Sequence, residues 1–439
     1  MFEANMDKKI GLIVEYYGFR SDIRELIAEL SIKTNLVLFI LKSDEGQIKK
    51  LNIEYRLIDE VETVKSKLLK KVFNIFHKKH HFKYDLVSWK LRKIAGYIGV
   101  KQLLQIVYFN FMERIPGFLS YNTLLKYLDL NNDNVDDIQA MITLTEIKYD
   151  ELLSKCFKKN IPIYVYMYSW DHPIKIKKIC QNNFIYFVWN NNLKEDLHTL
   201  HNVDVERIFN LGSSQLCSIK NFGMSSKISE DYIYFASAWG RLELIAQEVD
   251  LIKFVSSYLK KNKLSTKIIF RPYPNVDNKV NKLYESLNQL ENVEFDIYED
   301  NDYIFTKNKM YDKYKKIQNS IFTLHTGSTF GMEACYFDVP NIFFTFKESN
   351  FKSQQKVPFY LNLKNIINQY HLNKYLKYEN ALNVADSISD LTNILNDLLL
   401  NKEFTNYLKY NKKIASYTPI ESMEDITDNI LNIIKREYR

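Results

Sequence analysis

Ser320-Ile321-Phe322-Thr323-Leu324-His325-Thr326-Gly327-Ser328-Thr329-Phe330-Gly331-Met332-Glu333-Ala334 is the stretch on which the reading of the fold turns. Ser320 to Leu324 form a short, largely apolar run, His325 to Thr329 are small or polar, and a helix pattern opens near Ser328. Strand, small-residue turn and helix in succession make the local unit of an α/β domain. The turn suits an anion. Small residues let the backbone approach a ligand, the hydroxyls of Ser328 and Thr329 donate to phosphate oxygens, and a helix N-terminus favours negative charge. Glu333 lies about one helical turn further in, spaced to reach a ribose hydroxyl. The spaced Gly, Gly-Lys-Ser/Thr signature of a P-loop is missing, which leaves hydrolysis of ATP or GTP without support. The plainer alternative is a Ser/Thr turn that only caps its helix.

The same rhythm continues on both sides. Tyr232–Ala236, Lys267–Phe270, Val293–Ile297 and Asn341–Phe344 read as strands, and a helix is expected from Arg241 to Lys260. In the first half, Lys9–Tyr16 is a strand that ends in the turn Gly18-Phe19-Arg20-Ser21, with Ser21 placed to cap a helix from Asp22 to Leu30. Further strands are expected at Asn35–Leu41, Ile53–Ile58, Ala140–Leu144, Ile161–Tyr168, Phe184–Val188 and Arg207–Leu211, and a helix at Asp150–Lys159. Such alternation predicts parallel sheets covered by helices on both faces. Gly212–Ser229 is polar, rich in Ser and Gly and without periodicity, which marks a linker. A chain of 439 residues fits two domains of about 200 each. The expected organisation is a Rossmann-like domain over 1–212, a linker over 213–229 and a second Rossmann-like domain over 230–415. A C-terminal helix, 416–439, is expected to pack back on the first domain. The fold class is α/β, two facing Rossmann-like domains whose ligands lie in the cleft beyond the strand carboxyl ends.

Composition narrows the function. Hydrophobic residues at 46% and charged residues at 26% suit a soluble globular protein. No apolar run reaches the roughly 20 residues of a membrane span, and Met1–Lys9 lacks a signal-peptide layout, so a cytoplasmic protein is expected. Cys156, Cys180, Cys217 and Cys335 are scattered, as buried thiols in a reducing compartment would be. The net charge of +7 is concentrated between Lys65 and Lys93, with nine Lys and one Arg against Asp85 alone. Val64, Leu68, Val72 and Phe76 recur there every four positions, which predicts a helix with a basic outer face. Such a helix suits peripheral contact with the anionic inner membrane; a solvated face is the plainer reading. No nucleic-acid-binding motif accompanies the charge.

Two further segments carry chemistry. Ser169-Trp170-Asp171-His172-Pro173 follows a strand, setting a carboxylate beside an imidazole. Asp171 either accepts a proton from a substrate hydroxyl or orients His172 to do so, base work that needs a pKa near the working pH. A capping Asp171 and a loop-bonding His172 are the alternative. Arg271-Pro272-Tyr273-Pro274 closes another strand, where Arg271 suits a paired hydrogen-bond fork to phosphate and Tyr273 suits stacking on a base. His77, His80, His81, His198, His201 and His371 show no ligand spacing. Asp300-Asn301-Asp302 reads as well as a polar loop as a metal motif, so no metal is expected.

Taken in order, these segments resemble the bacterial surface-polysaccharide glycosyltransferases of capsule and lipopolysaccharide type, which have the GT-B fold. The resemblance lies in an SWDN-like loop at Ser169–Pro173, Val188-Trp189 followed by Asp196-Leu197, and Gly212-Ser213-Ser214-Gln215. It continues in an RPHP-like strand end at Arg271–Pro274 and a helix start with Ser328, Thr329, Glu333 and Ala334. It spans residues 140 to 345. It implies that the C-terminal domain binds a nucleotide-sugar donor, with Arg271 and Tyr273 near base and phosphate and His325, Thr326, Gly327, Ser328 and Thr329 at the phosphates. The N-terminal domain would hold a glycan or glycolipid acceptor through Gly18, Arg20 and Trp170, with Asp171 or His172 as base. The nucleotide sugar is then a co-substrate, and no cofactor or metal is implied. Tyr273 departs from the histidine of the pattern, which resembles that of transferases using CMP-sialic acid or CMP-Kdo, so UDP, GDP and dTDP stay open. His172 departs from the usual asparagine. A polyol-phosphate transferase, a sugar-nucleotide epimerase and a binding protein without turnover are the rival readings.

Overall fold

The computed structural model describes residues 9–14, 21–76, 119–129, 132–144, 149–170, 178–180, 182–222, 230–238, 242–273, 278–297, 307–345, 374–376 and 381–437, with Val100, Leu104, Val107 and Pro173. It divides into two compact units. Elements before Asn221 and after Thr418 form one, and those between Phe222 and Tyr417 form the other.

The first unit holds a seven-stranded sheet made of β1 (Lys9–Ile13), β2 (Leu36–Ile40), β3 (Glu54–Leu57), β4 (Ile138–Leu144), β5 (Ile163–Tyr166), β6 (Phe184–Val188) and β7 (Ile208–Asn210). Its order is β3-β2-β1-β4-β5-β6-β7, each neighbouring pair parallel. Central strands such as β2 (LVLFI) and β6 (FIYFV) are buried at each residue, because a parallel strand covered on both faces has no water side to mark with polar residues. The edge strand β3 (EYRL) is only partly covered, with Glu54 and Leu57 exposed.

A helix at Ser21–Lys33 buries Ile23, Leu26, Ile27 and Leu30. Ile426, Ile430, Ile433 and Ile434 of the last helix, Met423–Glu437, belong to the same core, and Lys33 Nζ reaches Asp428 at 2.8 Å. Each such aliphatic side chain contributes up to about 1.5–3 kcal/mol by leaving water. The end of the chain therefore belongs to the first unit.

Two expectations are corrected. The stretch 213–229 does not begin as a linker: Ser214–Phe222 is a helix with Leu216, Cys217 and Ile219 buried. Its Ser and Gln residues conceal an apolar face of only three side chains, too few to register as a period. The basic segment does form a helix, Val64–Phe76, with Lys65, Lys67 and Lys71 exposed as expected, but its apolar row is not the buried face. Val64 is 85% and Leu68 61% exposed. Phe73 turns inward against Tyr121 (ring centroids 5.9 Å apart), and Lys70 reaches Glu151 at 2.7 Å. One ring and one ion pair fix the helix rotation, against the apolar row. Residues 77–93 of the basic stretch lie outside the described residues.

The second unit holds a six-stranded parallel sheet of β8 (Tyr232–Ala236), β9 (Lys267–Arg271), β10 (Val293–Phe295), β11 (Phe322–His325), β12 (Asn341–Phe344) and β13 (Val384–Ala385), in the order β10-β9-β8-β11-β12-β13. From β8 the chain first winds toward β10, then crosses to β11 on the other side. The strand order thus reverses between β8 and β11, the point where open α/β sheets leave room for a ligand beyond their carboxyl ends. All four cysteines are buried and free, and among the described residues no helix is long and apolar enough to cross a membrane.

Candidate functional site

The reversal point of the second sheet brings together the residues after β8, β9 and β11. β11 delivers His325 to the sheet edge, Thr326 follows it into the interior, and Gly327 turns the chain at φ +105°, a backbone region that residues with a side chain rarely occupy. Ser328, extended at φ −142°, then opens the helix Thr329–Ala334. The turn is fixed from within. His325 Nδ1 accepts the Gly327 N–H at 3.2 Å, and its ring stacks on Phe343 with centroids 5.1 Å apart. Gly331 lies against that ring so closely that a Cβ there would run into it.

These contacts correct several expected roles. His325 is fully buried, and burial pushes its pKa down to about 3, so it stays neutral and brings no positive charge to a phosphate. Thr326 is buried as well and donates its hydroxyl to Glu248 at 2.5 Å. Both residues shape the turn. The hydroxyl left over is that of Ser328: Oγ is shielded from solvent and makes no hydrogen bond, either as a helix cap or elsewhere. Thr329 is partly exposed beside it.

Glu248 escaped the sequence reading. It lies on the helix Leu242–Lys261, in phase with the buried Ile245, Val249 and Ile252, and a carboxylate on the core face of a helix is the signal that could have singled it out. One oxygen, Oε1, accepts from Thr326 and from the Ala238 N–H at 3.0 Å, while Oε2 accepts the Ser237 hydroxyl. Burial pushes its pKa up to about 7 against the pull of these donors.

Arg271 and Glu333, expected near phosphate and ribose, are also turned inward and engaged with other side chains. Arg271 Nη1 donates to Asp296 Oδ2 at 2.8 Å and to the Tyr234 hydroxyl at 3.3 Å, and Lys316 holds the other Asp296 oxygen. Glu333 pairs with the buried Lys313 at 2.6 Å. Lys313 shares its helix face with Met310 and Ile317, again a charge on a core face. An isolated buried charge is costly, so each finds a counter-charge from another element before any ligand is present. Tyr273 differs. Its N–H donates to the Tyr284 hydroxyl at 3.2 Å, while its side chain stays in the open, 37% exposed.

In the first unit, Trp170, expected at the acceptor, is only 3% exposed. Gly18, Arg20, Asp171 and His172 lie outside the described residues, as do Asp300–Asp302.

No family model matches the sequence, and no curated protein sequence matches it. Solved structures do match, over nearly the whole chain. The Staphylococcus aureus MnaA–UDP co-structure aligns at 11% identity over 98% of this chain and 97% of that one, with a TM-score of 0.51. A putative UDP-N-acetylglucosamine 2-epimerase from Listeria monocytogenes aligns at 11% identity over the same shares, with a TM-score of 0.50. The fold is GT-B. In the GT-B frame the β8–β11 reversal belongs to the second Rossmann-like domain, and the site described above is its carboxyl-end turn.

Proposed function

We propose that this protein is a nucleotide-sugar enzyme that transfers a sugar to a glycan acceptor, with the nucleotide diphosphate held at the Gly327–Thr329 turn. The observation that carries this reading is the Ser328 hydroxyl. A shielded hydroxyl without a partner, at a helix start on the reversal point of a parallel sheet, has an open hydrogen-bond valence that a phosphate oxygen fills. Tyr273, exposed at the end of β9, supplies a ring for the base. In the transfer, the bond between the anomeric carbon and the diphosphate breaks with its electron pair leaving on phosphate, and the acceptor oxygen bonds that carbon. Asp171 or His172 takes the acceptor proton. The Ser328 hydroxyl serves the charge that grows on the leaving group. Support comes from the GT-B fold and from the ordered motif resemblance. Epimerisation of the nucleotide sugar is the second reading, favoured by the Listeria match, which is described as a putative 2-epimerase.

A thermal-shift panel of CMP, CDP, UDP, GDP, dTDP and ADP tests the nucleotide step, because a ligand that binds only the folded chain raises its melting temperature. Ser328→Ala separates a ligand group from a structural one. It removes no hydrogen bond of the free chain, so its unliganded melting temperature should stay at the wild-type value while affinity for the responding nucleotide falls about tenfold. A drop in unliganded stability with affinity unchanged would refute the assignment. UDP-N-acetylglucosamine without acceptor then divides the two chemistries: an isomerised sugar without free UDP means epimerisation, and UDP release that requires an added glycan means transfer.

A further inference from the structure

Glu248 takes no part in the transfer outlined above, yet it ties together the two strand ends that flank the reversal point. It holds Ser237 and Ala238 after β8 and Thr326 after β11. All three partners are neutral donors. Among the described residues, the titratable groups packed nearby bring no positive charge either. Burial, with Glu248 adding to it, raises the Tyr284 pKa on the helix Asn278–Glu285, which keeps that phenol neutral, and His325 is neutral one residue before Thr326. Arg271, at the end of β9, is paired with Asp296, and the next acid on the Glu248 helix, Asp250, lies two residues on and off its face.

We propose that Glu248 is a positioning residue that grips the Thr326–Ser328 turn, and that the nucleotide diphosphate binds there together with a proton on this carboxyl. The second half rests on the nucleotide reading above. An ionised Glu248 accepts all three donors but lies one hydroxyl away from the turn, with negative charge next to an incoming anion. The protonated acid keeps the Thr326 and Ala238 contacts on one oxygen and donates its new O–H to the Ser237 hydroxyl, which has acceptor capacity to spare. Glutamine copies this protonated arrangement with one accepting oxygen and a donor toward Ser237, so Glu248→Gln should hold the turn in its anion-accepting form at any pH.

Two arms test the proposal on the full chain. In the ligand-free arm, hydrogen–deuterium exchange over residues 326–331 at one pH should run at least tenfold faster in Glu248→Ala than in the wild type, and unchanged in Glu248→Gln. Should the alanine variant fail to fold, Thr326→Val cuts the same contact from the other side and should match that acceleration. Equal exchange in all variants would overturn the positioning role. In the ligand arm, UDP is titrated calorimetrically at pH 6 and pH 8 in buffers of unequal ionisation heat. Wild type should bind several-fold more weakly at pH 8 and take up part of a proton at pH 7. Glu248→Gln should lose both effects and keep the tighter affinity at pH 8. The same pH slope and proton uptake in Glu248→Gln would overturn the linkage. Silence from UDP and from every other nucleotide of the panel, beside the expected exchange pattern, would remove the nucleotide reading and leave the grip on the turn supported.

Discussion

Asp296, just past β10, and Glu248, beneath the ends of β8 and β11, are both buried carboxylates at one edge of the second sheet, and burial alone would raise the pKa of each. At Asp296 that effect is overcome by Arg271, Lys316 and the Tyr234 hydroxyl, and the carboxyl is held below its ordinary range. At Glu248 only two hydroxyls and one N–H answer it, and the pKa rises to about 7. Burial does not decide the ionisation of a group; the charge of its partners does. One site is a fixed ion pair that braces β9 against β10. The other is poised to change charge near neutrality, beside the turn that best suits a ligand.

Breaking the braced side should have the largest effect. Asp296→Ala leaves the Arg271 guanidinium buried without its counter-charge, and a loss of about 3–5 kcal/mol in denaturant unfolding is expected. A loss under 1 kcal/mol would mean that water or Glu333 takes over the pairing. The poised side should appear in the pH dependence of stability. A group whose folded pKa is raised from 4.5 to about 7 stabilises most below its unfolded value, and the contribution disappears as pH climbs through that window. Wild type should therefore lose roughly 3 kcal/mol between pH 4.5 and pH 7 relative to Glu248→Gln. Asp296, shifted the other way, stabilises at neutral pH and loses its contribution only as pH falls below the usual carboxylate range.

A smaller effect, about 1–3 kcal/mol, is expected of Gly331→Ala, whose new methyl group meets the His325 ring and must displace it from Phe343. Thermal unfolding reads the loss, and the displaced ring should also loosen the Gly327 contact. The smallest effect sharpens the comparison within the same two strands. Lys267 and Glu294 pair across β9 and β10 as Arg271 and Asp296 do, but with both side chains about half exposed. Lys267→Ala should change stability by no more than roughly 0.5 kcal/mol, since water already solvates both charges.

Much of this was legible in the chain. The strand at Phe184–Val188 and that at Asn341–Phe344 can be read off the sequence to the residue, because a buried parallel strand is a short, mostly apolar run. The small-residue turn after β11 was legible for the same local reason. The helix Val64–Phe76 could be placed but not rotated, since Lys70 and Phe73 set its inner face through partners on other elements. Glu248 and Lys313 escaped the reading; their phase with apolar neighbours is a pattern that marks a buried ion without naming its partner.

The sequence by itself determined the alternation of strand and helix, the parallel sheets and the turn with its glycine, since each follows from residue preferences over a few positions. Only the tertiary structure decided which polar side chains at that turn are already engaged. Thr326 meets an acceptor 78 residues away, Arg271 one 25 away, and Glu333 a donor 20 away. A buried charge or hydroxyl must be matched in space rather than in sequence, so the fold spends most of the candidate ligand groups on one another and leaves the Ser328 hydroxyl unmatched.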